Sequence, residues 1–169
     1  MLITQNIIDE LKNQGAEPDL NQIKLINALS DIKFFKKFSL NRFFLKESFG
    51  IYIWGDVGRG KTLISKTYLK LKGRNDSKSF HYIELMDFIH QELVLNSGHK
   101  NPLKKVATKL TKNTSIIFID EFQVEDVADA MIIGDLLQMV IENNTKLMFT
   151  SNSHPCLLYT SDAADETCR

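Results

Sequence analysis

Cysteine is almost absent from this chain. The two that occur, Cys156 and Cys168, both fall in residues 156–169. Everything upstream is without a thiol, which excludes a disulfide framework or a cysteine-based metal site there. Charge of one sign is not in excess either: Lys plus Arg and Asp plus Glu are 21 each among 169 residues. No overall positive field therefore argues for nucleic acid, and no acidic surplus argues for disorder. No apolar run approaches the roughly 18 residues that a membrane span needs. Residues Met1 to Lys12 lack the basic flank and unbroken apolar stretch of a signal peptide. A cytoplasmic protein with no integral membrane segment is the expectation, and a composition 43% hydrophobic and 25% charged is that of an ordinary globular domain.

What is present is a regular alternation of short apolar runs and helical stretches. Asp19 with Gln22 three residues on suggests a capping box, followed by Leu20, Ile23, Ile26 and Leu29 as an apolar stripe. Phe34 to Phe49 reads as a connector packed on a core. Ile51–Trp54 then predicts a strand, Lys61–Leu71 a helix stopped by Gly73, Phe80–Ile83 a strand and Glu84–Leu95 a helix. Asn101-Pro102 opens another helix, because proline is tolerated where its missing donor would have been unpaired. Four apolar residues, Ile116–Ile119, mark a strand buried on both faces. Ala130 to Ile141 recurs at helical spacing, and Leu147–Thr150 is the last strand. This order predicts an α/β fold, a parallel sheet with helices on both faces.

Gly55-Asp56-Val57-Gly58-Arg59-Gly60-Lys61-Thr62 matches G-x-x-x-x-G-K-[ST], following a predicted strand and opening a predicted helix. Glycines let backbone N–H groups wrap phosphates at the positive end of a helix. Lys61 adds a charge near the β and γ oxygens, and the Thr62 hydroxyl is placed to coordinate Mg2+. Asp120 is the first carboxylate beyond the buried strand, where open α/β sheets bind ligands, and Glu121 follows it. Asp120 is assigned to Mg2+ and Glu121 to polarising the attacking water. Asn152, beyond the last strand, either contacts water or the γ-phosphate or simply forms a turn; its context favours the first.

The histidines, His81, His90, His99 and His154, have no metal-ligand spacing and read as polar surface or core-edge residues, so no zinc is expected. Trp54 reads as core packing rather than a base-stacking residue. Phe34, Phe35, Phe38, Phe43 and Phe44 read as core more than as an RNA platform, despite Lys33, Lys36, Lys37 and Arg42 among them.

Three segments together resemble the ZapE cell-division ATPases of bacteria and their mitochondrial AFG/LACE-like relatives. Gly50 to Thr62 is similar to the family's GLYLWGGVGRGKT block, with Asp56 where that block has glycine. Phe118 to Met131 is similar to its DEF-x-V-x-D-x-x-DAM signature. Pro18-Asp19 with Gln22, Asn101-Pro102-Leu103 and Thr150-Ser151-Asn152 fall in the same order. The resemblance implies an AAA-type P-loop NTPase using ATP and Mg2+, acting as a homo-oligomer, and tied in bacteria to the tubulin-like division-ring protein FtsZ. It implies phosphate binding by Gly55 through Thr62, Mg2+ at Thr62 and Asp120, catalysis by Glu121 with Lys61, and nucleotide sensing by Asn152.

The family's Arg-bearing stretch after the TSN segment is absent here, and the CLLYTSDAADETCR string departs from the preceding bias. The expected organisation is an N-terminal helical segment and connector at 1–49, a P-loop core incomplete at its C-terminus at 50–155, and a non-native tail at 156–169. A different class of function, a nucleic-acid-associated ATPase resembling helicase loaders, shares the same core; balanced charge disfavours it, and salt-dependent single-strand binding would mark it. A nucleotide-binding fragment without turnover is the third reading.

Overall fold

The computed structural model describes residues 2–31, 49–72 and 76–155. The connector expectation for Phe34 to Phe49, save Phe49 itself, the Gly73 stop and the 156–169 tail lie outside them. The elements are α1 (Leu2–Asn13), α2 (Leu20–Asp31), β1 (Gly50–Trp54), α3 (Lys61–Leu71), β2 (Ser77–His81), α4 (Tyr82–Leu95), α5 (Pro102–Thr111), β3 (Ile116–Asp120), α6 (Val127–Glu142) and β4 (Lys146–Ser151). The four strands form one parallel sheet in the order β1-β4-β3-β2.

β3 runs through the middle with all five residues buried, and its alternating side chains feed two cores, as a period of two requires. Ile117 and Ile119 face a layer with Leu85, Ile89, Val106, Leu136 and Val140 from α4, α5 and α6. Ile116 and Phe118 face the other layer, with Ile7, Ile26, Leu29, Ile64 and Tyr68 from α1, α2 and α3. Helices thus cover both faces.

The Phe80–Ile83 strand expectation needs correction: β2 ends at His81, and Tyr82 and Ile83 belong to α4. The side chain of Glu84 accepts a hydrogen bond from the His81 backbone N–H at 3.2 Å. That reciprocal cap starts the helix two residues earlier than the apolar alternation suggested. At α6, Asp126 caps the helix by accepting from the Ala128 and Asp129 N–H groups, so the helix begins at Val127, ahead of its apolar stripe.

Candidate nucleotide site

All four strands point the same way, so the loops after β1, β3 and β4 gather at one edge of the sheet. In-register pairs set their heights: Trp54 lies beside Ser151, and His81 beside Asp120. The loop 55–60 leaves β1 and turns into α3 through Gly58 and Gly60, whose φ values of 77° and 73° lie in the left-handed region that side chains disfavour. Gly60 caps α3 without a side-chain cap, so the first-turn amides face the cleft beside the loop.

Thr62, one residue into α3, donates its hydroxyl to Asp120 Oδ1 at 2.7 Å. Thr150 on β4 donates to the same oxygen, and Lys66 Nζ lies 3.8 Å from Asp120 Oδ2. Asp120 is therefore a buried carboxylate held by two hydroxyls and a nearby cation, which offset the cost of burying its charge. Two hard oxygen donors, on Thr62 and Asp120, converge here. Mg2+ usually takes one or two protein oxygens and completes its shell with water and phosphate, and this donor set fits that habit. No cluster of three or more acidic, histidine or cysteine ligands occurs among the described residues.

Lys61 Nζ donates to the carbonyls of Gly55 and Asp56, each at 2.8 Å, and to Asn152 Oδ1 at 3.0 Å. The loop lysine and the amide after β4 thus meet across 91 residues of sequence. Glu121 adopts a φ of 53°, a strained conformation for a residue other than glycine, asparagine or aspartate. Its backbone N–H is 3.3 Å from Thr150 Oγ1, and its carboxylate meets His81 Nε2 at 2.9 Å. His81 is the residue that spacing along the sequence did not reveal. The sequence pattern puts it inside the Phe80–Ile83 strand, and only the structure places it at the end of β2 beside Asp120.

Two clefts flank these groups, besides the cleft of about 310 Å³ over the loop itself, which Thr62, Asp120, Glu121 and Asn152 also line. One of about 340 Å³ lies between Glu121, Asn152 and the acidic start of α6, Glu125, Asp126 and Asp129. Tyr82 borders it, and its phenol is pushed up to about 12 by burial and then by the negative field of Asp129, Asp126 and Glu125. The other, of about 300 Å³, lies between α2 and the loop and is bordered by Leu25, Ile53 and Trp54. Trp54 corrects the core expectation. It is 53% exposed and meets the His154 ring edge-on, with centroids 4.5 Å apart, because it ends β1 beyond the covering helices.

A family model described as AFG1-like ATPase matches residues 4–167. "Cell division protein ZapE" of Escherichia coli (strain K12) is 37% identical over 111 residues, covering 65% of this chain and 29% of that protein. "Lactation elevated protein 1 homolog B" of Danio rerio is 30% identical over 121 residues, covering 65% of this chain and 24% of that protein. The chain thus spans less than a third of the length of these curated relatives. Among solved structures, "Replication initiator DnaA bound to AMPPCP and single-stranded DNA" aligns with a TM-score of 0.55 at 15% identity, covering 87% of this chain and 42% of that one. "Crystal Structure of the DnaI" aligns with a TM-score of 0.53 at 23% identity, covering 80% and 68%. At these identities the likeness shows the fold alone, a parallel sheet with helices on both faces.

Proposed function

Because this chain belongs to the AFG1-like ATPase family, we propose that it binds ATP with Mg2+ at the 55–62 loop and hydrolyses the γ-phosphate bond. The observation that carries this reading is the Thr62–Asp120 contact, which joins the first turn of α3 to the end of β3 directly beside the loop. The loop amides hold the phosphates, and Lys61 exchanges its carbonyl partners for phosphate oxygens. Bound Mg2+ supplies charge neutralisation on the phosphates, with Thr62 and Asp120 as its protein ligands. Glu121 orients a water in line with the γ-phosphate and takes its proton. His81 holds the Glu121 carboxylate in place, and Asn152, shared with Lys61, registers whether a γ-phosphate is present.

The name "Cell division protein ZapE" of one relative supports a role in cell division; the motif resemblance extends the proposal to hydrolysis acting on a division ring built of FtsZ, with a homo-oligomer as the working form. Replacing Glu121 by Gln tests the chemical core. ATP affinity should stay within about threefold of wild type while hydrolysis falls at least a hundredfold, within the ~10²–10⁴ that a general base supplies. Retained turnover in Glu121→Gln would remove Glu121 from its role.

A further inference from the structure

Gln22, half-buried near the start of α2, joins two parts of the molecule that no catalytic assignment connects. Its Oε1 accepts a hydrogen bond from the Asp19 backbone N–H at 2.9 Å, and its Nε2 donates to the Arg59 carbonyl at 3.0 Å, 37 residues away. The same nitrogen lies against the loop's last turn, where a Cβ added to Gly60 would come within 3.1 Å of it. The helix that carries Gln22 is fixed in position. Ile26 and Leu29 are fully buried in the core that also holds Ile53 of β1 and Ile64 of α3, so the amide reaches the loop from a rigid platform.

The Arg59 carbonyl belongs to the planar peptide that also contains the Gly60 N–H. In a trans peptide, which every described peptide is, the carbonyl and the N–H point in opposite directions. A donor that fixes the Arg59 carbonyl toward α2 therefore fixes the Gly60 N–H away from it, and Gly60 lines the cleft over the loop. With φ at 73°, Gly60 has the freedom to flip that peptide, and Gln22 opposes the flip. Resting on the nucleotide-site reading above, we infer that Gln22 is a positioning residue for the phosphate loop. It sets the direction of the Gly60 amide and couples the seating of α2 to phosphate binding.

This account separates phosphate binding from recognition of the base. Tripolyphosphate, which has no base or ribose, is the probe that tells them apart. Gln22→Met keeps the side-chain length and removes the donor. It should weaken ATP and tripolyphosphate by the same factor, between about two- and tenfold, as expected for one neutral hydrogen bond. Gln22→Glu keeps an acceptor for the Asp19 N–H, and hence the helix cap, but offers the Arg59 carbonyl no donor. At about 1 M salt, where its added charge is screened within roughly 3 Å, it should show the same loss with an unchanged melting temperature. Gln22→Glu decides the matter if Gln22→Met unfolds. Wild-type tripolyphosphate affinity in Gln22→Glu, or a loss confined to ATP, would overturn the inference while leaving the nucleotide site standing. Failure of the wild-type chain to bind either ligand would instead overturn the nucleotide site, and this inference with it.

Discussion

Glu121 and Asp120 are neighbours in sequence with opposite surroundings. Asp120 is 7% exposed and held by the Thr62 and Thr150 hydroxyls, whereas the Glu121 side chain is 62% exposed, on a left-handed backbone, and held by His81. Such a difference fits the proposed roles, Asp120 as the metal-holding carboxylate and Glu121 as the one exposed to water. Asp120→Asn should therefore abolish the dependence of ATP affinity on Mg2+, and titrating nucleotide with and without the metal would reveal it; an undiminished Mg2+ effect would contradict the assignment. His81→Ala removes the partner of Glu121 and leaves the loop intact, so kcat should fall about tenfold or more while ATP affinity is retained. Equal changes in both would show that His81 supports the fold and not the carboxylate.

At the scale of elements, β3 decides both stability and site geometry. Phe118 is fully buried, so Phe118→Ala should cost about 3–5 kcal/mol in urea unfolding, and a cost below about 1 kcal/mol would show that the layer on α1, α2 and α3 collapses easily around the gap. The start of α4 carries a pH signature. The Tyr82 phenol is raised to about 12, against about 10 in an unfolded chain. Below pH 10 both states keep the proton and the contribution is complete. Between about 10 and 12 only the unfolded state loses it, so stability falls as pH rises through that window. An ultraviolet tyrosine titration should show a late phase near pH 12 that Tyr82→Phe diminishes. Because Tyr68 is also buried, the readout is the amplitude of that phase: an amplitude undiminished in Tyr82→Phe would contradict the burial account.

At the scale of the whole molecule, the periodicity of the chain carried the architecture because β3 and its partners alternate cleanly between two cores. Lys61–Leu71 is helical over the stretch its pattern marks, and Asn101-Pro102 opens α5. Boundaries failed where a side chain outvoted periodicity, as Glu84 does at Tyr82 and Ile83 by capping α4. Contacts across the sheet were legible only in part. The loop and Asp120 announce themselves by residue type, but His81 meets Glu121 across 40 residues and Gln22 meets Arg59 across 37. The spacing of Gln22 from Asp19 foretells its cap contact, but nothing local foretells its reach to Arg59 or that of His81 to Glu121. No described helix is long and apolar enough to cross a membrane.

The central claim, that the 55–62 loop is a nucleotide site, is tested most directly by titrating ATP with Mg2+ into the wild-type chain and Lys61→Ala. Lys61 holds two loop carbonyls and Asn152, and in the proposed bound state it would face phosphate. A charged hydrogen bond of about 1.5–3 kcal/mol corresponds to roughly one to two orders of magnitude in affinity. Saturable wild-type binding that weakens at least tenfold in Lys61→Ala is the predicted result; indistinguishable affinities in the two proteins would contradict it.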